Sequence, residues 1–282
     1  MWYALDVTHE SAAREAVEYA LMEAGALGTE ARAAADGLGE AVAYFDAPPD
    51  RERVRAVLAD ALRIYDLPAS SVRDIEAREV ADEDWLAEWK KNWRPVEVGR
   101  RIVVAPPWAE VGERPGRVVV RIEPGMAFGT GTHETTRLCL AAVERHFKGD
   151  SFLDVGTGTG VLAIAAAKLR EGARVEACDT DESAVEIARE NARLNGVGGR
   201  IAFRVGTVEE TTASASCVCA NLTADVILPA LPALAASSCG LLILSGILRE
   251  QAPEVLARLR ALGLLRFETT ADGEWTAVTV MT

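Results

Sequence analysis

Three alternating glycines between a short apolar run and an alanine-rich run constrain the fold more than any other feature. Residues 152–160 read FLDVGTGTG, and residues 161–169 are apolar except for Lys168. This pattern predicts a strand, a turn and a helix, the opening of a nucleotide-binding α/β unit in which glycines let a ligand lie against the backbone. The spacing is GxGxG rather than the GxGxxG of dinucleotide folds, so an ordinary strand-to-helix turn is the alternative.

Strands and helices alternate regularly from residue 151 to the end of the chain. The pattern predicts strands at 152–155, 174–178, 200–205, 217–220 and 241–245, with a closing antiparallel pair at 265–270 and 275–280. It predicts helices at 161–169, 182–194, within 224–236 and at 249–262. Such alternation with a final hairpin is typical of a doubly wound α/β sheet, here a seven-stranded Rossmann-like domain.

Polar side chains end three of these predicted strands, at the edge where such sheets bind ligands. Asp154 lies beside the glycine turn, Asp179 ends the second strand and Asn221 ends the fourth. The Asp179 carboxylate can accept two hydrogen bonds from a ribose diol, although a favourable charge before a helix is the alternative. The Asn221 amide oxygen can position an amine. No Ser-His-Asp set is apparent, which favours a reaction driven by positioning, such as methyl transfer from a sulfonium.

Residues 1–80 predict a separate, small α+β unit. Strand patterns cover residues 2–7, 41–45 and 72–77, and helical patterns cover residues 10–24 and a second run that begins at Pro49. Two strand–helix–strand units indicate a ferredoxin-like sandwich. The region holds 16 acidic and 8 basic residues. A merely solvated surface accounts for most of these charges, or they attract a basic partner.

The segment that follows is rich in tryptophan. Residues 81–93 read ADEDWLAEWKKNW, which places Trp85, Trp89 and, less regularly, Trp93 on one face of a charged helix. We interpret this segment as a linker helix that sets the orientation of the next domain. A helix that packs on its own domain is the alternative.

A glycine- and threonine-rich loop precedes the Rossmann-like pattern. Residues 123–137 read EPGMAFGTGTHETTR, with Phe128 in the middle, and a helical run at 138–146 follows Thr135 and Thr136. Such a loop offers backbone amides and hydroxyls without charge, which suits a polar ligand near a helix N-terminus. An ordinary surface loop is the alternative, but the apolar residues 126–128 argue against it.

Net charge and cysteine usage limit the possible partners. The net charge of −13 disfavours broad nucleic-acid binding and favours a basic protein partner. Five cysteines and three scattered histidines predict reduced thiols in a cytoplasmic protein without a metal site. No charge occurs between Asp225 and Arg249, but Pro229 and Pro232 interrupt that stretch. It therefore predicts a helix, a turn and a buried strand rather than a membrane span.

Several motifs together resemble a known family. The stretch DVGTGTG, the acidic ACDTD and the asparagine after the fourth strand are similar to class I S-adenosylmethionine-dependent methyltransferases. The loop EPGMAFGTGTHETT, the segment ANLTA and the tryptophan-rich DWLAEWKKNWRP narrow the resemblance to the PrmA family, methyltransferases of the eleventh large-subunit ribosomal protein. The resemblance covers essentially the whole chain. It implies a substrate-recognition domain at 1–80, a linker helix at 81–94 and a catalytic domain at 95–282.

The resemblance also implies an activity and its residues. The activity is methylation of lysine ε-amines and of the N-terminal α-amine, commonly to the trimethyl state, with S-adenosylmethionine as methyl donor. The implied cofactor-binding residues are Phe128, Thr130, Thr136, Gly156, Gly158, Asp179 and Asn221. The Asn221 side chain and the Leu222 carbonyl would orient the target amine. The family often has Asn-Ile-Leu where this chain has Asn-Leu-Thr, which affects the packing near that amine.

Three other interpretations are weaker. A methyltransferase of nucleic-acid bases would place an aromatic residue after Asn221 to stack the base, and residues 222–224 are Leu-Thr-Ala. A nicotinamide-dependent oxidoreductase would carry GxGxxG. A non-catalytic binding or ribosome-assembly module would not need the glycines, Asp179 and Asn221 together. We expect a monomer that does not read nucleic-acid sequence directly.

Overall fold

The computed structural model describes residues 2–33, 38–80, 93–112, 114–124, 128–209 and 213–282. The chain forms two compact units, residues 1–93 with 124–126 and residues 94–123 with 127–282. The predicted linker helix falls almost entirely on residues 81–92, which lie outside the described residues. Trp93 is the only one of its three tryptophans inside them.

The first unit has the order of elements of a ferredoxin-like sandwich. It contains β1 (Trp2–Glu10), α1 (Arg14–Glu23), β2 (Gly28–Ala33), β3 (Leu38–Phe45), α2 (Arg51–Ile64) and β4 (Val72–Val80). The antiparallel sheet has the order β2-β3-β1-β4. Fully or nearly fully buried side chains of both helices and of β1 and β3, such as Leu5, Leu21 and Leu58, form one core. The predicted ferredoxin-like fold of this region is therefore confirmed.

Strand β2 is absent from the sequence-based prediction. Its sequence, GTEARA, alternates only alanine with polar residues, which is a weaker signal than the large apolar residues that mark a half-buried strand. It lies at the edge of the sheet and pairs only with β3 among the described strands. An edge strand can be polar because one of its sides faces solvent, so periodicity does not reveal it.

A small sheet begins the second unit. It consists of β5 (Val96–Val98), β6 (Ile102–Ala105) and β7 (Val118–Arg121), in that order. The β-rich runs at 101–105 and 117–122 predict β6 and β7 within one residue at each end. The sequence-based prediction misses β5, which has only three residues. Asn195 contacts this sheet, because its side chain accepts a hydrogen bond from the Arg121 N–H at 2.8 Å.

A seven-stranded sheet forms the centre of the second unit. Its strands are β8 (Ser151–Val155), β9 (Arg174–Asp179), β10 (Ile201–Val205), β11 (Ala215–Asn221), β12 (Ser238–Leu248), β13 (Phe267–Asp272) and β14 (Trp275–Met281). Their order is β10-β9-β8-β11-β12-β14-β13. All pairs are parallel except those of β14, which is antiparallel to both of its neighbours. The predicted doubly wound sheet with a closing hairpin is confirmed.

Helices cover both faces of this sheet. They are α3 (Glu134–His146), α4 (Val161–Leu169), α5 (Glu182–Leu194), α6 (Ala224–Ala236) and α7 (Ala252–Ala261). Residues of α3, α4 and α5 share one core with Phe152, Cys219 and Ile243 of the sheet. Residues of α6 and α7 share a second core with Leu153, Val218 and Leu244. Successive strand residues therefore point to opposite faces, as a sheet buried on both sides requires.

The uncharged stretch between Asp225 and Arg249 folds as predicted. It forms α6, which contains Pro229 and Pro232, followed directly by β12. Strand β12 is longer than predicted, and its pairing with β14 is irregular between Leu244 and Ile247. Within the described ranges, no helix has the length and apolar character to cross a membrane.

Candidate active site

The carboxyl ends of three neighbouring strands bring the predicted site residues together. In the parallel sheet, Asp154 of β8 pairs with Ala177 of β9 on one side and with Cys219 of β11 on the other. Asp179 ends β9 and Asn221 ends β11, so both lie at the edge from which the glycine turn leaves β8. The fold thus gathers Asp154, the glycines, Asp179 and Asn221 along one edge.

The glycine turn packs too tightly for side chains. Gly158 has φ of +51°, and a Cβ atom there would lie 2.3 Å from the Phe128 carbonyl oxygen. A Cβ atom at Gly156 would lie 2.4 Å from Cδ2 of Leu222. The turn therefore contacts the loop before α3 on one side and the residue after Asn221 on the other.

Asp179 anchors this turn. One carboxylate oxygen accepts the Gly158 N–H at 2.9 Å, and the other accepts the Asp181 N–H at 3.1 Å. The cap of α5 is a different carboxylate, because Asp181 accepts the Ser183 N–H at 2.8 Å. A favourable charge before a helix was the alternative role for Asp179, and in the structure that role belongs to Asp181. A carboxylate oxygen has two lone pairs, so each Asp179 oxygen keeps capacity for a further donor such as a ribose hydroxyl.

The loop before α3 lies directly on the glycine turn. The Thr159 N–H donates to the Phe128 carbonyl at 3.0 Å, and the Thr159 hydroxyl donates to the Gly129 carbonyl at 2.7 Å. The Phe128 ring is 56% exposed and meets the His133 ring edge-on, with 5.2 Å between centroids. Thr130 contacts Thr132 through their hydroxyls at 3.1 Å. Phe128 and Gly129 therefore contact the turn, and Thr130 follows them in the chain.

Helix α3 begins four residues earlier than predicted. His133 is its N-cap and its ring nitrogen Nδ1 accepts the Thr135 N–H at 3.3 Å. Thr135 and Thr136 consequently lie inside the first turn rather than before the helix. The prediction of a helix from 138 fails because two threonines disfavour a helix interior, whereas here they fill its first turn. Thr136 is completely buried.

Unpartnered buried oxygens concentrate at this same edge. Among the described residues, six buried side-chain atoms have no hydrogen-bond partner, and four of them are Thr136 Oγ1, Asp154 Oδ1, Asn221 Oδ1 and Ser245 Oγ. By strand alternation, the last three point to the sheet face that α3 covers. A buried oxygen without a partner costs about 1–3 kcal/mol, so this cluster indicates a polar ligand that supplies the missing partners.

Sequence analysis missed Ser245 and the bend that follows it. Ser245 pairs with Asn221 across the sheet, and its carbonyl accepts the Leu222 N–H at 3.0 Å. Gly246 has φ of +86°, and a Cβ atom there would lie 2.3 Å from the Leu222 carbonyl oxygen. The signal was available, because a glycine inside an apolar strand pattern marks a bulge or a close backbone approach.

Asp154 is a fully buried carboxyl group at the centre of the edge. Its Oδ2 accepts the Thr157 hydroxyl at 2.8 Å and the Ala163 N–H at 3.1 Å. Burial raises the pKa of Asp154 from 3.8 to about 7, because the interior disfavours its charged form more than these two hydrogen bonds favour it. The negative charge of Asp179 raises this pKa further.

We expect Asp154 to make stability depend on pH. Because its pKa is 3.8 in a free chain and about 7 in the fold, the folded state binds more protons than the unfolded state between these values. The free energy of unfolding therefore falls by a few kcal/mol as the pH rises from about 4 to 7, and then levels off. Asp154→Asn should lack this fall. Urea unfolding of both proteins across that range measures the difference, and parallel pH profiles would contradict it.

Comparison with known proteins identifies the family. The sequence matches the family described as Ribosomal protein L11 methyltransferase (PrmA) over residues 1–282. It is 42% identical over 254 residues to the "Ribosomal protein L11 methyltransferase" of Pelotomaculum thermopropionicum, covering 87% of this chain and 80% of that protein. It is 39% identical over 238 residues to the protein of the same name from Desulforamulus reducens, covering 83% of this chain and 76% of that one.

A solved structure agrees with these sequence matches. The crystal structure of a ribosomal protein L11 methylase from Lactobacillus delbrueckii subsp. bulgaricus superimposes with a TM-score of 0.61 at 30% identity. The match covers 67% of this chain and 98% of that one. The chain belongs to the ribosomal protein L11 methyltransferase family.

Proposed function

We propose that this S-adenosylmethionine-dependent methyltransferase modifies lysine ε-amines and the N-terminal α-amine of its substrate up to the trimethyl state. The substrate is the eleventh large-subunit ribosomal protein. Family membership supports the substrate and the reaction class. One structural observation supports the site most strongly. The Asn221 amide oxygen is buried without a partner at the strand end beside the glycine turn, where an incoming amine can donate to it.

The described residues fit the cofactor. Asp179 would accept the ribose hydroxyls, and the turn at Gly156 and Gly158 would let the cofactor lie against the backbone. The buried and unpartnered Thr136 hydroxyl would bind a polar group of it. Phe128, which is exposed above the turn, and Thr130 would cover it. When bound, the cofactor supplies a methyl group on a positively charged sulfur, which is already activated toward a nucleophile.

The protein's share of the reaction is to position the amine. The Asn221 amide oxygen and the Leu222 carbonyl would accept its N–H groups and aim the nitrogen lone pair. A lysine ammonium has a reference pKa of roughly 10.4 and must lose a proton first. A dry site lowers that pKa because burial disfavours the charged form, and water carries the proton away. No side chain needs to act as a strong general base.

The excess of acidic residues in the first domain favours binding of a basic substrate. Residues 1–80 hold 16 acidic and 8 basic residues, and ribosomal proteins are usually basic, so complementary charge would steer the substrate. We therefore assign substrate recognition to residues 1–80, the role of a linker helix to residues 81–94 and catalysis to residues 95–282. We place the enzyme in the cytoplasm, where its substrate is made, and propose that it acts as a monomer.

Methylation of the purified substrate tests this function. The full chain is incubated with labelled S-adenosylmethionine and the recombinant eleventh large-subunit ribosomal protein, and intact and peptide masses are measured. We expect mass increments of up to three methyl groups at individual lysines and at the N-terminus. A parallel reaction contains ribosomal RNA instead. Label in the RNA but not in the protein would contradict the proposal, and so would calorimetric binding of NAD but not of S-adenosylmethionine.

A further inference from the structure

Ser245 occupies a position equivalent to that of Asn221 on the neighbouring strand. We propose that its hydroxyl shares one N–H of the target amine with the Asn221 amide oxygen, while the Leu222 carbonyl accepts the other N–H. This inference rests on the proposed function, since it assigns a further residue to the same amine-binding site.

The backbone joins Ser245 closely to Asn221 and Leu222. Ser245 pairs with Asn221 in the parallel register of β11 and β12. Its carbonyl accepts the Leu222 N–H at 3.0 Å. Both side chains point to the sheet face that α3 covers, because they follow Cys219 and Ile243 by two residues each. The two side chains are therefore neighbours on one face.

The Ser245 hydroxyl is buried without a partner. Ser245 is 0% exposed, and within the described ranges its oxygen has no hydrogen bond. A serine in an apolar layer usually satisfies its hydroxyl with a nearby carbonyl, as Ser237 does with Ala233 at 2.7 Å. An unsatisfied hydroxyl beside an unsatisfied amide oxygen indicates that both await the same polar group.

The sheet order places Ser245 on the side of the amine. The proposed cofactor anchors lie at the ends of β8 and β9, and the order is β9-β8-β11-β12. Neighbouring strands are about 4.8 Å apart, so Ser245 lies one strand beyond Asn221 in the direction away from those anchors. If Asn221 faces the point of methyl transfer, Ser245 faces the incoming amine.

The Leu222 carbonyl lies close to the bend at Gly246. A Cβ atom at Gly246 would lie 2.3 Å from the Leu222 carbonyl oxygen, which shows how closely this carbonyl approaches the end of β12. The Leu222 carbonyl therefore lies beside the backbone of β12 at the residue after Ser245. The three oxygens thus belong to residues that are adjacent in the chain or paired across β11 and β12.

The chemistry of successive methylation makes this role measurable. A neutral lysine amine has two N–H groups, a monomethylated amine has one and a dimethylated amine has none. Oxygens that orient the amine by accepting N–H groups help the first two transfers and have no N–H to accept in the third. Loss of the Ser245 hydroxyl should therefore affect unmethylated and dimethylated substrates differently.

Ser245→Ala in the full chain tests the inference, with Ser238→Ala as control. Ser238 lies at the opposite end of the same strand, is also buried and bonds to the Thr282 hydroxyl at 3.0 Å. Two substrates are compared, the unmethylated ribosomal protein and the same protein dimethylated at its amines by reductive methylation. We expect Ser245→Ala to lower turnover on the unmethylated protein about tenfold and on the dimethylated protein less than twofold. Ser238→Ala should change neither.

Two measurements without turnover complete the test. With S-adenosylhomocysteine bound, Ser245→Ala should weaken calorimetric binding of the unmethylated substrate several-fold and leave the dimethylated one unchanged. The Tm of the free variant should rise by about 2 °C, because a buried hydroxyl without a partner is removed. Equal losses on both substrates, or no loss on either, would overturn the role of Ser245 alone. If the wild-type chain methylates no amine, both the proposed function and the role of Ser245 are overturned.

Discussion

Asn221→Ala should lower the turnover of the enzyme by about a hundredfold or more while its affinity for S-adenosylmethionine changes only a few-fold. The reason is the placement of the Asn221 amide oxygen, which is buried and unpartnered at the end of β11. An alanine leaves the amine without the acceptor that aims its lone pair. Asp179 ends β9 and Gly158 lies in the turn after β8, so these two cofactor anchors stay in place.

Two measurements separate these effects. Single-turnover kinetics with saturating substrate report the loss of positioning, and calorimetry with S-adenosylmethionine reports cofactor binding. Thr223→Ala is the control, because Thr223 lies two residues further along, is exposed and makes no side-chain capping bond to α6. It should retain nearly full turnover. If Asn221→Ala turns over as fast as the wild type, Asn221 has no role in positioning the amine.

Gly158→Ala should abolish measurable cofactor binding and lower the stability of the second unit. The new Cβ atom would lie 2.3 Å from the Phe128 carbonyl oxygen, a backbone atom that cannot rotate away. That carbonyl also accepts the Thr159 N–H, so the clash spreads to the loop. The φ of +51° adds about 1–2 kcal/mol of strain for any residue with a Cβ atom. The Gly158 N–H would no longer reach Asp179.

Gly172→Ala is the matched control for this substitution. Gly172 follows α4, has an ordinary φ, and a Cβ atom there would have no atom within 4 Å. Its replacement should change neither Tm nor the affinity for S-adenosylmethionine. If Gly158→Ala binds S-adenosylmethionine with wild-type affinity, the turn does not hold the cofactor as proposed, whatever its effect on stability.

The buried polar groups at this edge of the sheet lower the stability of the fold and suit the edge to bind a polar ligand. Four buried oxygens without partners lie on residues of β8, β11, β12 and the first turn of α3, and one of them belongs to the Asp154 carboxyl, whose pKa is raised. Proteins tolerate such local costs where a ligand repays them, and the surrounding apolar layers supply the excess stability. The cluster is therefore a stronger indication of a binding site than any one of its residues.

Local signals in the chain predicted the second unit well. Helices α4 and α5 begin and end at the predicted residues, because glycines at 160 and 196 and the cap at Asp181 mark three of their ends, and α6 lies within the predicted range. Strand β8 is buried along its whole length and is apolar except for Ser151 and Asp154, so it is also clear from the sequence. The polar edge strand β2 and the three-residue β5 carry no such signal.

The sequence alone predicts two members of the candidate site, Asp179 and Asn221, because each ends a predicted strand that follows the glycine turn. Spacing along the chain determines which residues end parallel strands, and parallel strands end at one edge. Only the tertiary structure decided that Ser245 pairs with Asn221, that Asp179 anchors the turn and that Thr136 is buried. Those relations depend on the register between strands and on the packing of a helix, which join residues far apart in the chain and leave no periodic pattern in it.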